Sequence, residues 1–265
     1  MRSDEIQAEK LVEEYTALAP AYDRRWSAYL DASLHMTLEK VAGLPAGRVL
    51  DVACGTGRLL EMLAERADVP QLVGIDRVPA MLIVARQRIG QRATLLECDA
   101  SQLPFDDASF QLVTSTNALH YFLDADAALR EIRRVISPHG NLVITDWCRN
   151  YVWMRLLNRI LPWTRHAHVH TFSITELEQS LARAGFNINR KSRRKIDWFW
   201  GLMTVHATPV RGIRGWSLSP IRGLRDIHTS CTKSRSHKPL PQVAPTSCSL
   251  KPLPQAAPTS CSYKP

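Results

Sequence analysis

The stretch that most constrains this chain is Arg48 to Leu60, RVLDVACGTGRLL, a short apolar run that meets an acid and opens through glycines into a helical pattern. It predicts a buried strand, a tight turn and a helix N-terminus, whose backbone N–H groups can approach a polar ligand closely. A side chain at Gly55 or Gly57 would obstruct either the positive φ of the turn or the approach of the ligand. Asp51, at the end of the strand, is placed to accept hydrogen bonds. No G-K-[ST] follows, which disfavours nucleoside triphosphates. Gly55-Thr56-Gly57 supplies the G-x-G of a dinucleotide fingerprint, but Leu60 stands where that fingerprint takes a small residue.

The net charge of +9 over 265 residues suggests nucleic acid until its location is considered. Nine of the 34 Lys and Arg, but one of the 25 acids, lie in residues 211–265. The body is therefore nearly neutral, and the basic character belongs to the tail. Cys54, Cys98 and Cys148 sit in apolar, strand-like contexts and no C-x-x-C pair occurs, which suits a reducing compartment. The N-terminus MRSDEIQAEK is too charged for a signal peptide and no apolar run approaches a membrane span, so the expected setting is cytoplasmic.

Apolar residues from Ile6 to Leu18 follow a helical period that Pro20 ends, and a second amphipathic helix is expected over residues 21–44. The cluster Tyr22-Asp23-Arg24-Arg25-Trp26 between them reads equally as helix-start chemistry with core aromatics or as a ligand-covering lid. From Arg48 strands and helices alternate: strands at 49–53, 71–76, 94–98 and 110–115, and a helix over 124–136 with Asp124 as N-cap. The turn Ser137-Pro138-His139-Gly140 leads into a fifth strand at 141–146. Strands apolar on both faces and separated by helices indicate a parallel sheet covered on each side.

Beyond the fifth strand, Tyr151 to Trp163 predicts a basic amphipathic helix that packs on the body, lines a hydrophobic cavity or lies on a membrane surface. His166, His168 and His170 alternate in HAHVH, which in an extended segment places three imidazoles on one side; without a carboxylate or cysteine at a familiar spacing, a loop or substrate-facing role is favoured over metal. A capping box from Ser173 to Glu176 opens the next helix, and two closing strands follow near 187–198 and 202–208, the first carrying RKSRRK as a solvated edge. Residues 210–265 lose periodicity and repeat KPLPQVAPTSCSL as KPLPQAAPTSCSY. This composition predicts a disordered basic tail after a domain spanning 1–209, and an in-frame duplication accounts for the repeat.

Asp76 ends the second strand twenty-one residues after Gly55, Asp99 ends the third, Asn117 follows the fourth and Asp146 ends the fifth. All stand at carboxyl ends of strands, where open α/β sheets bind ligands. Together, VLDVACGTG, GIDRVPAML, LLECDASQLPFDDASFQLVTSTNALHYF and LREIRRVISPHGNLVITDW resemble a class I S-adenosylmethionine-dependent methyltransferase over about residues 10–209. The resemblance implies a Rossmann-like seven-stranded sheet, mostly parallel, with helices on both faces and an antiparallel last strand.

It also implies roles. Asp51, Ala53, Gly55 and Gly57 surround the amino acid part of S-adenosyl-L-methionine, Ala53 standing where the family often has a glycine. Asp76 holds the ribose hydroxyls, Arg77 and Met81 flank the adenine, Asp99 accepts from its amino group and Ala100 lies beside the ring. Asn117 sits near the methionyl moiety and Tyr22 closes over it. His120, with Tyr121 beside it, is the best-placed base if the reaction needs one; lining the substrate cavity is the plainer role for His120. Asp146, Trp147 and HAHVH are expected to border the acceptor cavity.

Amino-methyltransferases of nucleic acid often carry [DNS]-P-P-[YFW] after the fourth strand, where this chain has NALHYF. With a near-neutral body, that favours a small-molecule acceptor, hydrophobic or aromatic, over nucleic acid. Two rival readings are a non-catalytic cofactor-binding protein and, disfavoured by Leu60, a nicotinamide-dependent oxidoreductase.

Overall fold

The computed structural model describes residues 2–164 and 167–210. The expected tail lies outside these residues apart from its first position, as does His166. Seven strands form one sheet: β1 (Arg48–Val52), β2 (Gln71–Asp76), β3 (Thr94–Glu97), β4 (Phe110–Thr116), β5 (Ile136–Trp147), β6 (Phe186–Lys195) and β7 (Gly201–Pro209). Their order is β3-β2-β1-β4-β5-β7-β6. The first five run parallel, and β7 runs antiparallel to both of its neighbours. The seven-stranded sheet and its reversed closing strand follow the sequence expectation.

Alternation along β1 explains why helices cover both faces. Leu50 and Val52 join the core beneath α6 (Ala125–Val135) and α8 (Ile174–Arg183), whereas Val49 joins the core beneath α3 (Ser27–Val41), α4 (Arg58–Ala64) and α5 (Pro79–Ile89). Leu60, too large for a dinucleotide fingerprint, is fully buried in the second core. Its space is made by Gly74 of β2, where an added Cβ would lie 2.6 Å from Leu60 Cδ1 and 2.8 Å from Cys54 Sγ. The small residue needed for close helix–strand packing thus sits on the strand instead of the helix.

Two local details differ from expectation. The second helix is broken at Trp26 into α2 (Tyr22–Arg25) and α3, and a 3-10 turn, Ala19–Ala21, joins α2 to α1 (Arg2–Leu18). Ser137 to Gly140 is not a turn before the fifth strand but an irregularity inside it, because Phe110 pairs with Ile136 and Leu112 with Asn141. The two described imidazoles of HAHVH have different surroundings: His168 is buried while His170 packs on Phe172 and approaches Glu176 at 3.8 Å. α7 (Val152–Ile160) forms as expected and buries Met154, and β6 is the exposed basic edge.

Candidate functional site

A cavity of about 320 Å³ opens at the carboxyl ends of β1, β2 and β4 and is roofed by α1 and α2. Its floor is the loop after β1. Ala53 and Gly55 both adopt positive φ, 58° and 54°, so the backbone folds back on itself before α4. Nothing lies within 4 Å of a Cβ built on Gly55. That open space against a bare backbone is where a ligand can make close contact. Gly57 adopts the positive φ that the turn reading expected, 77°, but an added Cβ there would also meet Ala85 Cβ of α5 at 3.0 Å, and the residue does not line the cavity. It serves helix packing.

Two buried acids face this space. Asp51 accepts from Thr114 Oγ1 at 2.8 Å, and burial, partly countered by that bond, pushes its carboxyl up to about 7. Asp76 accepts Gly55 N on Oδ2 and Val78 N on Oδ1, each at 2.8 Å. Burial raises it to about 6 against the pull of those donors. A carboxylate offers about four acceptor sites, so one on each oxygen of Asp76 remains for a pair of vicinal hydroxyls. Asp51, lacking a cationic neighbour, has capacity for an ammonium group. The donor set therefore fits an aminoacyl and ribosyl ligand such as S-adenosylmethionine.

The next residues continue the lining. Met81, at the start of α5, and Ala100, after β3, are both buried and both line the cavity. Asp99 accepts Ser101 N and Oγ on Oδ1, at 2.8 and 2.7 Å, and Arg77 Nη1 on Oδ2 at 2.7 Å. Arg77 thus bridges to Asp99 as well as lining the cavity. Asn117 also lines the cavity, at φ 59°, but its amide is engaged: Oδ1 accepts from Tyr29 Oη at 2.6 Å and Nδ2 donates to Ser33 Oγ at 2.7 Å. It shapes the wall without presenting its amide.

The opposite wall is aromatic. Tyr15, Tyr22 and Tyr121 line it together, with Tyr15 edge-on to Tyr121 at 5.3 Å between ring centroids. Burial pushes all three phenols well above their usual range. They stay protonated.

His120 lies behind this wall, outside the cavity lining. Its Nδ1 is 2.5 Å from Asp146 Oδ1 and its ring stacks on Trp147 at 3.9 Å, while Nε2 is buried without a hydrogen-bond partner among the described residues. Asp146 also accepts Leu119 N and Trp147 N, both at 2.6 Å. Asp146, Trp147 and His168 therefore do not border the cavity as expected. Buried acids need donors, and these two backbone N–H groups and the imidazole draw the group inward.

Several contributors escaped the sequence reading. Tyr29 links Asn117 to Trp147 Nε1 (2.7 Å), yet in sequence it is one more aromatic at helical spacing. Asp23 accepts from Thr56 Oγ1 at 2.7 Å and pairs with Arg88, which also reaches Glu61 and the Thr56 carbonyl. Its position beside Tyr22 was the available signal.

Comparison with known proteins gives a consistent picture. The model of a methyltransferase domain family matches residues 50–144. A demethylmenaquinone methyltransferase of Thermus thermophilus is 36% identical over 169 residues, covering 56% of this chain and 74% of that protein. A ubiquinone/menaquinone biosynthesis C-methyltransferase of Paraburkholderia phymatum is 30% identical over 182 residues, covering 60% and 71%. Among solved structures, the DhpI–SAH complex superposes with a TM-score of 0.60 at 20% identity, over 77% of this chain and 98% of that one.

Proposed function

We propose, from the premise that this chain belongs to the class I S-adenosylmethionine-dependent methyltransferases, that its small-molecule acceptor is a reduced quinone ring methylated at carbon. The observation that carries the reading is the wall of protonated tyrosines facing the acidic glycine floor across one cavity. The relatives named for menaquinone and ubiquinone biosynthesis support it.

S-adenosylmethionine supplies an electrophilic methyl group on a sulfonium. Asp51 neutralises the ammonium of the cofactor, Ala53 and Gly55 give its aminoacyl part room against the backbone, and Asp76 holds the ribose. Arg77, Met81, Asp99 and Ala100 enclose the adenine, while Asn117 and Tyr22 close the methionyl end. Holding acceptor and donor in one orientation lowers the barrier by removing the entropy cost of encounter. Tyr121, kept neutral by burial and packed edge-on against Tyr15, contacts the ring oxygen of the acceptor. His120 does not touch it; through its ring stack and Asp146 it positions Leu119 to Tyr121. The buried thiols Cys54 and Cys148 support a cytoplasmic setting.

The test is a panel of acceptors scored by S-adenosylhomocysteine release and by mass of the product. A reduced demethylated naphthoquinone is expected to gain one methyl on a ring carbon. Turnover of a polar amine or acid, with none of the quinol, would overturn the assignment.

A further inference from the structure

Among the described residues eight large hydrophobic side chains are exposed, and six of them gather on one face: Val152, Trp153, Leu156, Ile160, Trp163 and Trp198. The other two, Ile6 and Ile83, stand apart on α1 and α5. Five of the six follow one helical stripe along α7 and the 3-10 turn Leu161–Trp163. The sixth belongs to the β6–β7 hairpin, whose tip packs against α7: Trp153 meets Trp198 edge-on at 5.6 Å and Phe199 at 6.4 Å. The most exposed of the six are Trp163, Val152 and Trp198, at 89%, 74% and 68%.

The charge around this face is mostly positive. No acid occurs between Asp146 and Glu176, a span that carries four arginines. Arg149 is paired with Glu176, whereas Arg155 and Arg159, exposed beside the apolar stripe, have no acidic partner among the described residues. Asp197, the acid of the hairpin, holds the tip by accepting Phe199 N and Trp200 N at 2.7 and 2.6 Å. Arg193 and Lys195 are exposed on the adjoining strand.

We propose that the face made by α7, the turn after it and the β6–β7 tip docks on an anionic phospholipid bilayer. Indole rings favour the boundary between headgroups and acyl chains. Arginines flanking an apolar stripe meet lipid phosphates, and a helix so patterned lies in the interface plane. No helix of the described residues is long and apolar enough to cross a membrane, so the attachment is peripheral. The inner side of the same helix buries Met154 in a cluster with Trp147 and Leu202, which gives the face a rigid backing. The inference stands apart from the identity of the acceptor.

Co-sedimentation of the full chain with phosphatidylcholine vesicles, with and without phosphatidylglycerol, tests it. The wild type should partition onto the anionic vesicles, with its tryptophan fluorescence quenched by brominated acyl chains. The double variant Trp163→Ser, Trp198→Ser should lose about tenfold in partition and most of the quenching. Arg155→Gln with Arg159→Gln should lose about tenfold on anionic vesicles alone. Both should keep wild-type affinity for S-adenosylhomocysteine, because neither pair approaches the cofactor cavity. Absence of vesicle binding by the wild type would overturn the proposal, and so would wild-type partition by both variants, which assigns binding to another basic segment. Concentration-dependent self-association lost in the tryptophan variant would likewise overturn it and give the face to a second protein.

Discussion

The proposed cofactor side and the proposed acceptor side line one cavity and are stabilised by different means. On the proposed cofactor side, Asp76 is pinned by Val78 N of its own turn and by Gly55 N of the loop after β1, and Asp99 by Ser101 N of its own turn. On the proposed acceptor side the polar group is turned inward, Asp146 onto Leu119, His120 and Trp147. Aromatic surface is left to face the space. Binding chemistry is thus exposed on one side and hidden as support on the other, so equivalent-looking substitutions should give different defects.

The sharpest test is Asp76→Ala. It removes the proposed ribose contact and leaves the Gly55 and Val78 donors unpaired, at about 1–3 kcal/mol each. Calorimetric titration should show S-adenosylhomocysteine affinity reduced about a hundredfold. Retained affinity would erase the distinction between the walls. On the other side, His120→Gln should lower turnover about tenfold through misplacement of Tyr121, leaving cofactor affinity unchanged. The pH–rate profile should keep its shape, since a positioning residue transfers no proton. Loss of one limb of the profile would instead make His120 the base.

The smallest effect comes from pH. Asp51 at about 7 and Asp76 at about 6 lie above the unfolded carboxylate range. Their contribution to stability is therefore full below about pH 4 and lost as pH rises through 6 to 7. Thermal melts without cofactor should shift downward over that window. Cofactor affinity should run the other way, rising severalfold from about pH 6 to 8 as Asp51 ionises beside the ammonium group. Asp51→Asn should flatten that rise.

Much of the fold was legible because its signals are local. Acids closing apolar runs mark the carboxyl ends of buried strands, and the capping box at Ser173 and Glu176 forms as its spacing requires. The Ser137–Gly140 irregularity was not legible: Pro and Gly announce a turn, while pairing of Ile136 with Phe110 is a tertiary fact. Orientation was the other blind spot. A sequence shows that His120 neighbours Tyr121, but not that Asp146 draws one inward while the other faces the cavity. Gly57 was legible in part: its positive φ follows the turn reading, but a glycine that leaves room for Ala85 looks the same in sequence as one that leaves room for a ligand.

The bond network around Asp23 has a mechanical consequence. Through Thr56 and Arg88 this residue of α2 is fastened to the glycine loop and to α5, and Asp31 of α3 is fastened to Arg58 at the head of α4. Roof and floor of the cavity are therefore coupled parts. Any displacement of α2 away from the cavity must either break these side-chain bonds or carry the glycine loop along.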